Sequence, residues 1–204
     1  MNHYFTNGNS KQLRPRELLT TADSQALWML ESGALRIDMS ESDDASCFVR
    51  MALPGDVIGV ESLVGTTERT LVRALTSSRL VPVTLFDEGH LKRMLMEAVA
   101  KGYQRCCEVA TLRTGPTDNR VKRLLLLLAN QEVGKTGEAV ACALPSLNDM
   151  AAIVNAAPET VCRALANLRQ VNFLQDCSPA ISKHRHLKHR EHKLQPSAAF
   201  GTAA

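Results

Sequence analysis

The sequence is poor in aromatic residues and has no apolar run long enough for a membrane span. Phe, Trp and Tyr make up 4% of its 204 residues. The leucine run after Arg123, LLLLLA, is far too short to cross a bilayer. The opening segment MNHYFTNGNSKQLRPRE lacks the apolar middle of a secretion signal. We therefore expect a cytoplasmic protein without a membrane segment.

The common sequence motifs of enzymes are also missing. There is no Gly-rich phosphate loop followed by Lys-Ser/Thr, no G-x-S-x-G and no paired acids with a matched His. The six cysteines, at positions 47, 106, 107, 142, 162 and 177, form no CxxC pair and no zinc-like spacing with His. The sequence gives no support for an enzyme or a metal site. We interpret the cysteines as small buried residues or free thiols of a reducing compartment.

Positive charge is concentrated near the C-terminus. The formal net charge is only +3. The segment KHRHLKHREHK, from Lys183 to Lys193, carries five Lys or Arg and four His. Such a run suits an anionic partner. A solvated tail is the alternative, and we expect residues 183–204 to be flexible.

Two kinds of pattern divide the rest of the chain. From about Leu13 to Phe86, short pieces rich in Val, Leu, Ile and Thr are separated by Gly, Pro, Ser and Asp, which predicts an antiparallel sandwich or roll. Residues 87–113 predict a helix, with apolar residues at the 3-4-3-4 spacing of a helix that packs on a partner helix. These seam residues are Met96, Val99, Tyr103, Cys106 and Ala110.

The segment LPSLNDMAAIVNAAPETVCRALANLRQ predicts two short helices joined by a turn, a helix-turn-helix. Ser146 can cap the first helix, with Asp149 three residues later in an approximate capping box. Asn155 falls at the turn, where it tolerates a left-handed backbone. Pro158 suits the first position of the second helix. In that helix an inward stripe is expected at Val161, Leu165 and Leu168.

In this order of elements the sequence resembles the CRP–FNR family of bacterial transcription regulators. The resemblance covers roughly residues 14–175 and is carried by SGALRI (32–37), PGDVIGVESLVG (54–65), VRALTSS (72–78) and SLNDMAAIVNAAPETVCRALANL (146–168). It implies an α+β chain with a cyclic-nucleotide-binding-like β-roll. The implied domains are the roll (1–86), a dimerisation helix (87–114), a winged helix-turn-helix (115–182) and the basic tail (183–204).

The resemblance implies a homodimer that binds an inverted repeat in double-stranded DNA. Glu159 and Arg163 match the base-reading Glu and Arg of the family; Glu can accept from cytosine and Arg can donate to guanine in the major groove. An ordinary i,i+4 surface pair is the alternative. Pro158 stands where the cAMP-receptor branch has another Arg, so we expect an FNR-type half-site. The full set of expected DNA contacts is Glu159, Cys162, Arg163, Ser146, Thr160, Lys183 and Arg185.

The sensor matches the family less well. Val60 stands where cAMP-binding members carry Glu, and Arg105 with Cys106 replaces their Thr-Ser pair, which argues against cAMP. No cysteine precedes Cys47, so an FNR-type iron–sulfur cluster is not expected, and the sequence does not support haem. The effector stays open, as does a redox role for Cys106 and Cys107. The candidate ligand contacts are Gly59, Glu61, Arg69, Thr70 and Arg105.

The wing also departs from the family, whose members follow the recognition helix with a Gly-containing hairpin. Here FLQD and AISK could pair around Ser178-Pro179 as a rudimentary wing. This departure supports a competing hypothesis, a degenerate sensing or interaction dimer that no longer binds DNA specifically. RNA polymerase is an expected partner, through the loop 132–143. The sequence does not decide between an activator and a repressor.

Overall fold

The computed structural model describes residues 9–20, 23, 26–42, 45–63, 69–83, 87–129, 140–176 and 191–194. The chain divides into two compact units, Met1–Thr114 and Gly115–Ala204. At this boundary Gly115 has a φ of 88°, a left-handed conformation that favours glycine. Pro116 follows, and proline cannot continue a helix through its missing N–H.

The first unit contains two antiparallel sheets. Its described strands are β1 (Lys11–Leu13), β2 (Trp28–Ser32), β3 (Leu35–Ser42), β4 (Ala45–Ala52), β5 (Val57–Ile58), β6 (Arg69–Ala74) and β7 (Ser78–Pro82). One sheet has the order β1–β7–β2–β5, and the other has β4–β3–β6. A short 3-10 helix, Val60–Leu63, follows β5. The antiparallel roll predicted from the sequence is confirmed.

The core of this unit takes side chains from both sheets. Leu30 and Leu80 of one sheet and Leu35 and Ile37 of the other are at most 1% exposed. Each such side chain stabilises the fold by about 1.5–3 kcal/mol when it leaves water. Gly33 lies in the tight turn between β2 and β3. Only glycine fits there, because a Cβ would lie 2.3 Å from the Ser77 carbonyl oxygen. Gly33 and Ala34 are therefore the two residues that separate β2 from β3.

A long helix, α1 (Glu88–Leu112), ends the first unit. Asp87 caps it, with its Oδ1 accepting from the His90 backbone N–H at 2.6 Å. Ala98, Val109 and Leu112 are buried. At 1.5 Å per residue the helix is about 37 Å long.

The described part of the second unit contains three helices and a small sheet. The helices are α2 (Thr117–Ala129), α3 (Leu147–Val154) and α4 (Pro158–Gln170). The strands are β8 (Val140–Ala143), β9 (Leu174–Asp176) and β10 (Glu191–Leu194), in the order β8–β10–β9. The helices bury a shared apolar face whose most deeply buried members are Val121, Leu124, Leu125, Ile153, Val154, Val161 and Ala164.

The strand after α4 has a partner that the sequence did not indicate. β9 pairs antiparallel with β10, with Leu174 opposite Leu194. AISK lies outside the described residues, so its pairing with FLQD stays a prediction. Within the segment 183–204, predicted to be flexible, residues 191–194 form a strand. That strand is the central one of the sheet, bonded to β8 and β9, so its backbone polar groups have partners on both edges.

No helix in the described part of the chain is long and apolar enough to cross a membrane.

Candidate nucleic-acid interface

Local sequence rules build the turn between α3 and α4. The Ser146 hydroxyl accepts from the Asp149 backbone N–H at 3.2 Å and donates to the Asp149 Oδ2 at 2.6 Å. Asn155 ends α3 with φ 51° and ψ 62°, the expected left-handed conformation. Pro158 occupies the start of α4. Ser146, an expected DNA contact, is thus the cap of α3.

The two faces of α4 differ in burial as the sequence predicted. Val161, Leu165 and Leu168 are 0%, 6% and 7% exposed, so they form the inward stripe. The expected base-reading residues, Glu159 and Arg163, are exposed, as is Cys162. Thr160 is half-buried. The outward face of α4 therefore presents an acceptor and a donor to whatever approaches it.

The Arg163 side chain does not complete a surface ion pair with Glu159. Its Nη2 donates instead to the Thr160 Oγ1, at a long 3.4 Å. A bond of that length is weak and easily exchanged. The guanidinium keeps most of its donors for another acceptor. Ala157 provides no side-chain cap for the N-terminus of α4.

The seam predicted on α1 is uncovered in the single chain. Met96, Val99 and Tyr103 are 75%, 60% and 74% exposed. Cys106 and Ala110 are exposed as well. All five lie apart from the buried residues of the same helix. Large apolar side chains exposed together on one helix face are typical of surfaces that a partner covers.

The cysteines are more exposed than predicted. Cys47, Cys106, Cys107 and Cys162 are free and exposed, so the prediction of buried cysteines is wrong for these four, and their description as free thiols is correct. They lie on outward-facing strand and helix positions rather than in the cores. A hydrogen bond with Cys107 raises the pKa of Tyr103 above its ordinary value. The side chains at 142 and 177 are outside the described residues.

The five candidate ligand contacts are spread over four elements. Gly59 follows β5 with φ 92°. Glu61, on the 3-10 helix, is bound by the buried Arg50 through an ion pair. Arg69 and Thr70 begin β6 and pair with β3. The Oε1 atom of Glu61 is thus already engaged by a neighbouring side chain, while its buried Oε2 has no hydrogen-bond partner among the described residues.

Arg105 is also engaged within the chain. Its Nε donates to the Asp56 Oδ2 at 2.8 Å, and its Nη1 lies 3.0 Å from each carboxylate oxygen of Glu108. Burial alone would lower the pKa of Arg105, but the hydrogen bonds to Asp56 and Glu108 raise it above its ordinary value. Lys101 donates to the Gly55 carbonyl oxygen at 2.9 Å. Together these contacts tie α1 to the turn of PGDVIG.

No family model matches the chain. The transcriptional regulator LdrP of Thermus thermophilus is 26% identical over 154 residues, covering 74% of this chain and 79% of LdrP. The crystal structure of a CRP-family transcriptional regulator from Thermus thermophilus superposes with a TM-score of 0.66 at 24% identity, over 91% of this chain and 92% of the other. A CRP/FNR-family regulator from that organism gives 0.59 at 20% identity, over 92% and 94%. The chain has the CRP–FNR fold.

The family resemblance noted in the sequence is thereby confirmed for the fold, and the relatives named above are transcriptional regulators. The assignment to an FNR-like branch stays a prediction. So do the individual contacts of Glu159 and Arg163. For these two residues the structure shows that both side chains are exposed on α4.

Sequence reasoning missed the residues that hold the two helices of the motif in place. Arg120 of α2 donates from Nη1 to the carbonyl oxygens of Val154 at 2.7 Å and Asn155 at 3.0 Å. Asn167 of α4 donates to the Asp118 Oδ2 at 3.0 Å. No sequence rule joins Arg120 to a turn that lies more than 30 residues further along the chain. An Arg on the polar side of a predicted helix was the only signal.

Proposed function

We propose that the chain is a sequence-specific, DNA-binding transcription regulator that acts as a homodimer, with α4 in the major groove of an inverted repeat. The observation that carries this proposal is the outward face of α4. Glu159 and Arg163 are exposed on it, opposite the buried stripe, and no ion pair between them competes for their polar atoms in the described chain. The fold of known transcription regulators supports the same conclusion.

The spacing of the two side chains suits successive bases. Residues four apart on a helix are separated by about 6 Å along its axis. Base steps along one strand are about 3.4 Å, so the pair spans close to two steps. Arg can donate bidentately to guanine O6 and N7, and Glu can accept from cytosine N4. Each such contact contributes about 1–3 kcal/mol of discrimination against a wrong base.

Phosphate contacts would set the register of α4. Among the described residues no side chain caps its N-terminus, where the helix dipole favours an anion. Pro158 has no N–H, and the N–H groups of Thr160 and Val161 donate to the Ala157 carbonyl oxygen, so the dipole rather than free N–H groups is the main attraction there. Cys162 and Thr160, on the same turn, are further proposed contacts. Lys183 and Arg185 lie outside the described residues, and we include them as phosphate contacts because of their charge. Such contacts give affinity without sequence information.

The exposed seam of α1 supports the homodimer. Two copies joined along this stripe would bury Met96, Val99 and Tyr103 of both chains. A two-fold dimer presents its two recognition helices to half-sites about one helical turn of DNA apart, about 34–36 Å. RNA polymerase is a further proposed partner of such a regulator. We do not assign an effector, since Glu61 and Arg105 are held by Arg50 and by Asp56 with Glu108.

Selection of bound duplexes from a random pool tests this function. We expect enrichment of an inverted repeat whose half-sites contain a G·C pair. The double variant Glu159→Ala/Arg163→Ala is the matched control, and it should recover no such motif. Failure of the unaltered protein to enrich any sequence would contradict the proposal and favour a degenerate dimer.

A further inference from the structure

Three polar side chains of α2, Asp118, Arg120 and Lys122, contact the helix-turn-helix or the residue Phe173 beyond it. Between them lies the buried apolar face of α2, with Val121, Leu124 and Leu125 at 0% exposed. Residues two apart on a helix point about 200° apart, so Asp118 and Lys122 lie on one flank of that face and Arg120 on the other. Hydrogen bonds from both flanks fix direction and distance, so these side chains can set the angle of the helices that pack on α2.

Arg120 binds the end of α3 and the turn after it. Its Nη1 lies 2.7 Å from the Val154 carbonyl oxygen and 3.0 Å from that of Asn155, and its Nη2 donates to the Thr117 Oγ1 at 2.7 Å. The last carbonyls of a helix have no partner within the helix, and a cation there also complements the helix dipole. Arg120 meets both needs from a neighbouring helix.

Arg120 makes its contacts although one of its own donors is left without a partner in the described part of the chain. Its Nε is buried and has no hydrogen-bond partner among the described residues. A buried donor without a hydrogen-bond partner opposes folding. Three bonds from the two Nη atoms offset this. Because those atoms are committed to Val154, Asn155 and Thr117, the guanidinium is not directed at an outside ligand.

Two further contacts hold α4 and the residues after it. The Asn167 Nδ2 donates to the Asp118 Oδ2 at 3.0 Å, which links the second half of α4 to the first turn of α2. The Lys122 Nζ lies 4.8 Å from the centre of the Phe173 ring, just beyond the end of α4. Arg120 fixes the turn before α4. The recognition helix is thus held to α2 near both of its ends.

Small rotations of α4 would matter for base reading. With 13 residues the helix is about 20 Å long, so a tilt of about 5° about one end moves the other end by about 1.7 Å. Hydrogen bonds to base edges tolerate only about half an ångström, between 2.7 and 3.2 Å. Contacts that fix the tilt of α4 therefore affect discrimination more than they affect attraction to the phosphate backbone.

We propose that Arg120, assisted by Asp118, is a positioning residue for base reading: it sets the angle of α4 and so the sequence preference, without touching DNA. The proposal rests on the proposed function, since it needs a protein that reads sequence. Under this proposal the sequence preference depends on α2 as well as on the two base-reading side chains of α4.

The test compares Arg120→Met with Arg123→Met, which removes an exposed positive charge from the same helix. Dissociation constants are measured on the selected duplex and on a scrambled duplex over a range of salt, below the unfolding midpoint of every variant. We expect Arg120→Met to lower the preference for the selected duplex about tenfold, with the slope of log affinity against log salt unchanged. Arg123→Met should keep the preference.

Two more variants keep the test informative if Arg120→Met folds poorly. Asn167→Ala leaves Arg120 in place and should also lower the preference, because α4 loses its second anchor. Arg120→Lys keeps the charge and one donor for the Val154 carbonyl oxygen, so it should restore part of the preference. A merely structural role for Arg120 predicts lower melting temperatures with the preference intact.

The outcomes of these measurements distinguish an error in the positioning role from an error in the proposed function. An unchanged preference in both Arg120→Met and Asn167→Ala would overturn the positioning role. Equal losses on both duplexes, with a salt slope smaller by about one, would mean that Arg120 contacts a phosphate and would also overturn it. Absence of any preference in the unaltered protein would instead overturn the proposed function, and the positioning role with it.

Discussion

Replacing Val99 by Glu tests the proposed dimer at the middle of its seam. Val99 lies between Met96 and Tyr103 on α1 and is 60% exposed in the single chain. A partner helix would cover this exposed part. A Glu at this position would lose the apolar contact with the partner helix. Its carboxylate would also be desolvated in the dimer, next to the same carboxylate of the partner chain.

The size of the effect follows from the area that becomes buried. Full burial of a Val side chain is worth about 1.5–3 kcal/mol. The exposed 60% of Val99 corresponds to about 1–2 kcal/mol for each chain, or about 2–4 kcal/mol for a symmetric dimer. Since every 1.4 kcal/mol is tenfold, the dimer dissociation constant should rise by about thirty- to seven hundred-fold. Repulsion between the two carboxylates adds to this.

Sedimentation velocity over a range of protein concentration measures the change. Gln104→Glu is the matched control, because it places the same charge on the same helix next to Glu108 rather than on the seam. Far-UV circular dichroism shows whether each variant is folded. We expect a folded monomer for Val99→Glu at concentrations where Gln104→Glu is a dimer.

An unchanged dimer for Val99→Glu would refute the assignment of the seam. Dissociation of both variants to the same extent would refute the reasoning in another way, because the effect would then come from added charge on α1 and not from loss of apolar contact.

Three further predictions follow from the sensor and the basic segment. Asp56→Asn should lower the free energy of unfolding of the protein by about 2–3 kcal/mol, measured with urea, because a buried charged acceptor of Arg105 is lost; an unchanged midpoint would mean that the pair contributes nothing net. Calorimetry with cAMP should show no binding in the micromolar range, since Arg105 and Glu61 are held by internal partners, and tight binding would contradict this. The double variant Lys183→Ala/Arg185→Ala should weaken binding to all duplexes and reduce the salt slope by up to about two; an identical slope would show that these residues make no phosphate contact.

Features set by neighbouring residues were predictable from the sequence. Ser146, Asn155 and Pro158 act through backbone groups within a few positions of themselves, so their roles at the turn and caps could be predicted. The inward stripe of α4 and the exposed seam of α1 follow from helical periodicity for the same reason. Gly33 and Gly55 likewise mark turns with positive φ.

Contacts between distant segments were not predictable. Nothing in the order of residues indicates that Asp56 would bind Arg105, or that Arg120 would bind the end of α3. The pairing of β9 with β10 was not predicted, because the sequence suggested only the nearby AISK as a partner and β10 lies further along the chain. Strand partners depend on the whole sheet, and β8 supplies the second edge that makes β10 its central strand.

The most direct test of the central claim, that α4 reads base sequence, is the binding of Arg163→Ala to the selected and scrambled duplexes at one salt concentration. If Arg163 donates to guanine, affinity for the selected duplex should fall about tenfold or more, and affinity for the scrambled duplex should hardly change. The fold should be unaffected, since the side chain is exposed and opposite the buried stripe. Equal losses on the two duplexes would contradict the claim and leave Arg163 as an ordinary surface residue.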